Sequence, residues 1–326
     1  MNPPPDDVAR PPEVARTAAA GSSSAETDAA LFHATSTRAT AWQLRTRRLE
    51  LSARPLVMGI LNITPDSFSD GGRFFSAAAA IEQGRRLAEA GADLLDMGGE
   101  SSRPYATPVA LDEELRRVLP VVQALRQAVT IPLSIDTTKP AIARAAIEAG
   151  AEIINDISGF SAPEMLALAA QSRAGVCAMH MQGTPATMQD APVYADVVAE
   201  VGAFLRERRE ALLAAGVTRE RICLDPGIGF GKTHAHNIAL MAHCWRLHSL
   251  GCPLLVGHSR KGFIGKLSGN STPEQTAGTL AASLALAAQG VQILRVHDVA
   301  ATREALSVFA ACCPPLEPPA PGEKRS

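Results

Sequence analysis

The chain has 326 residues, of which 46% are apolar and 4% aromatic, and its formal net charge is -2. This length suits one large domain or two small ones, and the near-neutral charge without a Lys/Arg tract predicts no nucleic-acid partner. No apolar run approaches the ~18 residues that cross a bilayer, so we expect no membrane partner. The six cysteines form no C-x-x-C pair, which predicts no zinc site and a reduced, cytoplasmic setting.

The two ends of the chain differ in composition from its middle. Residues 1–41 are rich in Ala, Ser, Pro and Thr, show no apolar period, and resemble neither a signal peptide nor an Arg-rich transit peptide. This composition predicts a disordered extension. Residues 314–326 have the same character and are predicted to form a flexible tail, which leaves residues 42–313 as a single folded domain.

Eight short apolar runs, most of them rich in Val, Ile and Leu, lie between these ends. Continuous rather than alternating hydrophobicity predicts strands that are buried on both faces, as in a parallel sheet. The predicted strands are 56–61, 93–97, 132–135, 152–154, 175–179, 222–224, 253–256 and 292–296. Helical stretches such as 76–90 and 138–149 lie between strands, and Gly91, Gly150 and Gly290 stand where such helices would be capped.

Each predicted strand leads into a hydrogen-bonding or charged residue. These residues are Asn62, Asp96, Asp136, Asn155, His180, Asp225, Ser259 to Lys261, and Arg295 with His297. Eight strand–helix units over about 250 residues fit either a barrel or a doubly wound sheet. Because only a closed barrel brings eight carboxyl ends to one pocket, we predict an α/β protein of the (β/α)₈ TIM-barrel class with a single domain.

Two of the loops that follow these strands have the character of ligand sites. Residues 62–72 hold two carboxylates, an amide and three hydroxyls, and such oxygen ligands suit Mg²⁺ shared with a pyrophosphate. After the second strand, Gly98 and Gly99 allow a ligand to approach the backbone, and Arg103 offers a two-pronged donor for a phosphate. The simpler interpretations are a polar loop that opens a helix and a solvated arginine.

The eighth strand ends in a second candidate anion site. Arg295 and His297 alternate along the strand, so both side chains can point to the same side. TIM barrels commonly bind phosphate after strands seven and eight, although a single buried histidine is more often structural. The glycine-rich segment 225–232 fits neither the P-loop nor the dinucleotide-binding spacing, and its glycines are expected to let the chain turn beside Asp225.

In these motifs the chain resembles the dihydropteroate synthases over roughly Pro55 to Phe309. The matching motifs, in order, are 62–72, 96–104, 134–140, 155–157, 179–182 with 187–189, 225–232, 259–261 and 295–299. The resemblance implies an enzyme of folate biosynthesis that condenses 7,8-dihydropterin-6-ylmethyl pyrophosphate with p-aminobenzoate to give 7,8-dihydropteroate and pyrophosphate. It also implies Mg²⁺ as cofactor, two small-molecule substrates as partners, and a homodimer.

The resemblance further implies a role for each matching residue. The pterin would be held by Asp136, Asn155, Met179, Asp225 and Lys261. The pyrophosphate would be held by Asn62, Arg103, Arg295 and His297, with Mg²⁺ bound near Asn62. The p-aminobenzoate pocket would be shaped by Phe68, Ser102, Pro104, Phe230 and Gly262. The catalytic set would be Asp136, Asp70, Arg103 and Lys261, with Asp136 and Asp70 stabilising a pterin carbocation and the cations stabilising the departing pyrophosphate.

The sequence departs from the family pattern at a few positions that bear on p-aminobenzoate affinity. Ser102 stands where threonine is more usual, Gly262 where serine is common, His258 where methionine is usual, and Ile228 where phenylalanine is frequent. Two other functions would account for part of this pattern. A methyltetrahydrofolate:corrinoid methyltransferase would have no use for the pyrophosphate cations, and a non-catalytic pterin-binding protein would be expected to lose loop residues such as Arg103 first.

Overall fold

The computed structural model describes residues 38–64, 77–269, 272 and 275–313. Several predicted features lie outside the described ranges. They are the extension up to residue 37, the tail from residue 314, and the candidate residues Phe68 and Asp70. The last residues assigned to the extension contact the folded domain, since Arg38 Nε donates to Gly290 O at 2.7 Å and Leu51 N donates to Thr40 O at 2.8 Å.

The described residues alternate between strands and helices. The strands are β1 (Ala41–Gln43), β2 (Arg48–Glu50), β3 (Leu56–Asn62), β4 (Leu94–Gly98), β5 (Leu133–Asp136), β6 (Ile153–Asp156), β7 (Gly175–Met179), β8 (Ile222–Asp225), β9 (Leu255–Gly257) and β10 (Ile293–Val296). The helices are α1 (Ala77–Glu89), α2 (Leu111–Ala128), α3 (Pro140–Ala149), α4 (Pro163–Ser172), α5 (Val197–Ala214), α6 (His234–Ala242), α7 (Gly262–Ser268), α8 (Thr276–Ala288) and α9 (Val299–Cys312). Two 3₁₀ segments, Arg219–Arg221 and Cys244–Leu250, precede β8 and β9.

Strands β3 to β10 form one parallel sheet in the order β8-β7-β6-β5-β4-β3-β10-β9. A parallel bridge between Leu224 of β8 and Leu254 beside β9 closes this sheet on itself. The (β/α)₈ barrel predicted from the strand ends is therefore confirmed, and all eight predicted strands lie within two residues of the observed ones. Among the described residues, none of the helices has the length and apolar character that a bilayer crossing requires.

The glycines predicted as caps end three of the helices shortly before the next strand. Gly91, Gly150 and Gly290 have φ values of +94°, +116° and +76°, a region that glycine occupies without the steric penalty of a Cβ atom. Each residue ends a helix a few positions before the next strand. The chain therefore reverses at the amino-terminal end of the barrel, and the polar strand ends all gather at the opposite end.

A short hairpin formed by β1 and β2 closes the amino-terminal end of the barrel, and the sequence did not predict it. Trp42 of this hairpin is fully buried, and its Nε1 donates to Arg221 O at 2.9 Å. It packs in a cluster with the lower inward-facing side chains of the barrel. These include Met58, Leu94, Ile153, Cys177, Cys223, Leu255 and Ile293. The lower half of the barrel is thus an apolar plug, so a ligand can enter only from the other end.

Candidate active site

The site begins one layer above this apolar plug. Alternate residues of a strand face the same side, so the next inward positions lie two residues further along each strand. These positions hold Asp96 above Leu94, Asp136 above Ser134, Asn155 above Ile153, Met179 above Cys177, Asp225 above Cys223 and Arg295 above Ile293. The alternation that fills the barrel with apolar side chains therefore also delivers acids, an amide and an arginine to its mouth.

Arg295 of β10 links two of these acids. Its Nε donates to Asp96 Oδ2 at 2.6 Å and its Nη2 donates to Asp136 Oδ2 at 2.9 Å. Burial disfavours the charged guanidinium, but Asp96 and Asp136 together raise the pKa of Arg295. Burial also raises the pKa of the Asp136 carboxyl to about 7, against the opposing effect of Arg295. The mouth thus contains a fixed cation beside a carboxyl that titrates near neutral pH.

Three buried polar atoms in this layer have no hydrogen-bond partner among the described residues. They are Asp96 Oδ1, Asn155 Oδ1 and Ser134 Oγ. Asn155 Nδ2 donates to Asp96 Oδ2 at 3.0 Å, so the two side chains are held together with one acceptor on each left unused. A buried acceptor without a partner costs about 1–3 kcal/mol. A ligand that offers hydrogen-bond donors to Asp96 and Asn155 would recover that cost.

Asp225 and Lys261 face each other on the other side of the mouth. Asp225 is buried and accepts from Gly227 N at 2.7 Å, and burial raises the pKa of its carboxyl. Burial lowers the pKa of the Lys261 ammonium to about 8, although Asp225 opposes this shift. Lys261 Nζ donates to Ile228 O and lies 4.5 Å from the centre of the Phe230 ring. The structure therefore brings Lys261 and Phe230 together beside Asp225.

The predicted phosphate ligands converge around His297. Burial, followed by the positive charges of Arg260, Arg295, Arg103 and Lys261, lowers the pKa of the His297 imidazole to about 3. His297 Nδ1 lies 3.1 Å from Ser259 Oγ, which fixes the ring at the end of β10. We call the His297 imidazole together with the four cations around it the cation group: Arg103, Arg260, Lys261, Arg295 and His297. Four cations that act on one imidazole create a strong attraction for an anion.

The loop of residues 99–110 carries Ser102, Arg103 and Pro104, and it is anchored at its base by Lys139. Lys139 Nζ donates to Glu100 Oε2, to Glu114 Oε2 at 2.5 Å and to Val109 O at 2.8 Å. Glu114 is only 1% exposed, so this lysine neutralises a buried charge. Because Lys139 follows Asp136 by three residues, the loop is tied to the same element that supplies Asp136.

The tip of this loop contacts the segment that follows β7. Tyr105 N donates to Pro185 O at 3.3 Å, and the Tyr105 hydroxyl donates to Asp190 Oδ1 at 3.0 Å. Together the two segments enclose a cavity of about 230 Å³, which is lined by Ser102 and Asp136 among others. Ser102 is thus placed beside the acid layer, while Arg103 and Pro104 are exposed.

A buried lysine organises the glycine-rich segment after β8. Lys232 Nζ lies 2.8 Å from His180 Nδ1 and donates to Gly227 O and Phe230 O, each at 2.9 Å. Burial lowers the pKa of this lysine. Gly227 has a φ of +65°, and a Cβ there would lie 1.9 Å from His180 O. The segment turns as expected from its glycines, and it holds Phe230 over Lys261.

Two positions that depart from the family pattern lie in different surroundings. A Cβ at Gly262, the first residue of α7, would have His234 Cε1 as its nearest neighbour at 3.9 Å, so this position is open. His258 is fully buried, and its Nε2 lies 2.8 Å from Ser283 Oγ on α8. It therefore packs between the barrel and a helix rather than in the mouth, whereas Gly262 lies next to Lys261.

The candidate set from the sequence was incomplete at three positions. Asp96 was noted at a strand end but given no ligand role, although it accepts from both Arg295 and Asn155. Arg260 and Lys232 were also left without roles. Strand alternation would have found Asp96, because it lies two residues beyond the buried Leu94. Asn62 lies half-buried at the end of β3, four residues beyond Met58 on the same face.

Comparisons with known proteins place this site in a family. The profile described as pterin binding enzyme matches residues 58–297. A dihydropteroate synthase of Escherichia coli (strain K12) is 48% identical over 263 residues, which cover 81% of this chain and 93% of that protein. A Xanthomonas albilineans dihydropteroate synthase with 4-aminobenzoic acid is 51% identical with a TM-score of 0.79, covering 84% of this chain and 98% of that one. A second structure from that organism, in complex with 7,8-dihydropteroate, is 49% identical with a TM-score of 0.75, covering 83% and 98%.

The profile match spans most of the barrel and places the molecule among the pterin-binding enzymes. Identity near one half over most of both chains narrows this further: the chain belongs to the dihydropteroate synthase family, a group of transferases in folate biosynthesis. The resemblance inferred from the motifs is confirmed, and the partners of the site are small molecules.

Proposed function

We propose that the chain condenses 7,8-dihydropterin-6-ylmethyl pyrophosphate with p-aminobenzoate and releases 7,8-dihydropteroate and pyrophosphate. The observation that carries this proposal is the position of unused buried acceptors next to the cation group. Asp96 Oδ1 and Asn155 Oδ1 require donors, and His297 lies within the field of four cations. One ligand with a donor-rich ring at one end and a multiply charged anion at the other satisfies both requirements.

The ring fits the acid and amide layer. A pterin presents amino and ring N–H donors beside a carbonyl acceptor, which carboxylates, amides and an ammonium can bind. In this proposal Asp96 and Asn155 accept from one edge, Asp225 accepts from the amino-pyrimidine edge, and Lys261 donates to an acceptor of the ring. Met179 is 3% exposed at the end of β7 and packs on the ring face.

The pyrophosphate end fits the cation group. The reaction breaks the bond between the pterin methylene carbon and the pyrophosphate oxygen, and the electron pair leaves with pyrophosphate. Arg103, Arg295 and His297 hold that charge, and Arg260 adds a cation to the predicted set. The ionised Asp136 stabilises positive charge on the pterin methylene.

The second substrate completes the reaction. The amine nitrogen of p-aminobenzoate forms the new bond to the methylene carbon and then loses a proton to water. This arylamine is neutral near pH 7, so no strong base is needed. Ser102 and Phe230 shape the side of the mouth where it enters, and the exposed Pro104 and the open position at Gly262 lie at its rim.

The residues present fit the predicted Mg²⁺. Mg²⁺ keeps several waters and usually takes one or two protein oxygens together with the phosphates of its substrate. The half-buried amide of Asn62 at the end of β3 can supply one such oxygen without a dedicated cluster of acids. When bound there, Mg²⁺ would neutralise charge on the pyrophosphate.

We also propose a homodimer. Helix α8 contains no acidic or basic residue, and its exposed side chains include Ala277, Ala281 and Ala285. Val308 on the neighbouring α9 is 59% exposed. The uncharged face of α8, with Val308 beside it, favours a symmetric contact. An Ala281→Arg variant should then sediment as a monomer while the unmodified chain sediments as a dimer, and equal masses would contradict this interface.

A cytoplasmic location is proposed as well, because all six cysteines are free.

The reaction is tested by measuring pyrophosphate release from 7,8-dihydropterin-6-ylmethyl pyrophosphate and Mg²⁺, with and without p-aminobenzoate. Release that depends on p-aminobenzoate, with dihydropteroate as product, is the expected result. A protein that binds the pterin but releases no pyrophosphate would instead be a non-catalytic pterin-binding protein. Asn155→Leu, which removes one acceptor, should raise KM for the pterin substrate much more than KM for p-aminobenzoate.

A further inference from the structure

A second cavity, of about 580 Å³, lies at the end of the barrel opposite the mouth. It is bounded by the turn of the β1–β2 hairpin, the last turn of α2, and the segments that connect α3 to β6 and α4 to β7. All of these segments precede strands, so none of them reaches the catalytic end. The side chains that matter here are Arg45, Arg126, Glu152, Gln171 and Arg173.

The cavity has an excess of positive charge. Its one acid, Glu152, is already satisfied: Arg47 Nη2 lies 2.8 Å from Glu152 Oε1, and Thr46 Oγ1 donates to Glu152 Oε2 at 2.7 Å. The three lining arginines, Arg45, Arg126 and Arg173, are therefore not balanced by it. The guanidinium groups of Arg126 and Arg173 are exposed, and neither makes a hydrogen bond or ion pair within the described part of the chain.

Capping of helix ends explains only part of this cluster. Arg45 Nη1 donates to Ile147 O at 2.5 Å in the last turn of α3, and Arg47 Nη1 donates to Thr130 O at 2.6 Å. These two arginines neutralise carbonyl groups at helix ends, as cations commonly do. The guanidinium groups of Arg126 and Arg173 bond to no such carbonyl, so their charge is available to a ligand.

Both of these arginines line the cavity. The side chain of Arg126 packs across Gly150, where an added Cβ would lie 2.7 Å from Arg126 Cγ. Arg173 has a φ of +58° at the end of α4. This left-handed conformation costs most residues about 1–2 kcal/mol, and glycine is the residue that usually adopts it.

We propose that this cavity binds an oligophosphate, either free or as part of a nucleotide. Planar guanidinium groups bind phosphate oxygens through paired hydrogen bonds, and the two unpaired groups, with the charge of Arg45 beside them, match a ligand with two or more phosphate groups. The volume lies within the range of small-molecule sites. The inference does not rest on the proposed reaction, because no residue of the mouth takes part.

A ligand bound in this cavity would contact both the turn of the β1–β2 hairpin and the segments that precede β6 and β7. A ligand that binds the folded chain stabilises it in proportion to its occupancy. The oligophosphate should therefore raise the thermal midpoint while leaving the binding of pterin substrate unchanged.

The test is calorimetric titration of the full chain with tripolyphosphate and, separately, with ATP, at low salt and without Mg²⁺. The variant Arg126→Gln/Arg173→Gln removes the two unpaired guanidinium groups. Arg86→Gln/Arg116→Gln is its matched control, because it removes the same charge from exposed positions on α1 and α2. Arg260→Gln/His297→Gln removes anion ligands from the mouth and separates binding there from binding at the opposite end.

The cavity variant should lose at least about tenfold in affinity, since hydrogen bonds to charged groups are the stronger ones. Its turnover should equal that of the unmodified chain, which also shows that it is folded. The control and the mouth variant should keep this binding event, and tighter binding of tripolyphosphate or of ATP would identify the source of the phosphates. Equal loss in the cavity variant and its control, or loss only in the mouth variant, would overturn the proposal.

Discussion

The titration of two mouth residues follows from their burial. Burial raises the pKa of Asp136 to about 7 and lowers the pKa of Lys261 to about 8. The proposed reaction requires Asp136 as a carboxylate and Lys261 as an ammonium. The active form of the free enzyme should therefore be most abundant between about pH 7 and pH 8 and decline on either side.

We predict a bell-shaped pH profile of kcat/KM. Activity should rise with pH up to about 7 as Asp136 loses its proton, and it should fall above about 8 as Lys261 loses its charge. Initial rates at subsaturating pterin substrate, measured from roughly pH 5 to pH 10, give this profile. This range covers the titration of both Asp136 and Lys261.

The variant Asp136→Asn assigns the acidic side of that profile. It should lower kcat by about 10²–10³, the usual cost of one charge-stabilising group, and it should remove the rise below pH 7. A rise that persists in the variant would assign this titration to another acid, with Asp225 the next to test.

At the scale of elements, loops 99–110 and 227–232 gain their order from two lysines, of which Lys139 is half-buried and Lys232 is buried. Lys139 anchors the first and Lys232 the second. In each case one ammonium donates to several oxygens, among them the buried carboxylate of Glu114 in the first loop and the carbonyl groups of Gly227 and Phe230 in the second. Both loops can therefore hold side chains at the mouth without the support of a helix or strand.

We predict that Lys139→Met destabilises the protein by about 3 kcal/mol, because it leaves the Glu114 carboxylate buried without a cation. The double variant Lys139→Met/Glu114→Gln should recover part of this loss. Urea unfolding of both single variants and the double variant measures the coupling. Strictly additive effects would mean that the pair does not stabilise the loop.

A second prediction concerns the turn at Gly227. Gly227→Ala places a Cβ 1.9 Å from His180 O at a φ of +65°. Gly216→Ala is a matched control, since Gly216 has a φ of +95° but nothing within 4 Å of an added Cβ. The control should lose about 1–2 kcal/mol from backbone strain alone, and Gly227→Ala should lose about 1–3 kcal/mol more from overpacking. Equal losses in urea unfolding would contradict the clash.

For the whole molecule, stability and catalysis are separated along the barrel axis. The apolar plug and the hairpin fill one end, and the acid layer with the cation group occupies the other. Substitutions at the plug should therefore change the free energy of unfolding with little effect on substrate affinity.

Trp42→Ala tests this separation. The side chain is fully buried, and its loss should cost about 3–5 kcal/mol while KM for both substrates stays unchanged. Trp245→Ala, at a half-buried position before β9, should cost less. Guanidinium unfolding and steady-state kinetics of the two variants give the comparison, and a large rise in KM for Trp42→Ala would show that the two ends are coupled.

Most of the barrel could be predicted from the sequence because each strand is a continuous apolar run bounded by glycines or polar residues. The β1–β2 hairpin could not, since its strands have three residues each and its turn from Leu44 to Arg47 contains no glycine or asparagine. Its stability comes from Trp42 in the barrel floor, which is a tertiary contact. A local pattern does not report such a contact.

The site residues that follow strand ends could be predicted from the sequence. The contacts between strands that only the closed barrel brings together could not. Arg295 was expected to bind pyrophosphate, but its pairing with Asp96 and Asp136 joins β10 to β4 and β5, which are distant along the chain. His258 was expected to bear on p-aminobenzoate. Strand alternation from the inward Leu255 turns its side chain toward Ser283 of α8, and its effect on p-aminobenzoate affinity stays a prediction.

The closure of the barrel between β8 and β9 has a consequence for its internal motion. Among the described residues, the backbone contact across this seam is one bridge and the bond from Leu224 N to Pro253 O at 2.9 Å, whereas neighbouring strands share full ladders. Amide hydrogens at this seam should exchange with solvent faster than those of β4 and β5. Asp225 lies on one side of the seam and Lys261 on the other. A pterin bound to both residues would link the two sides and slow the exchange of these amide hydrogens.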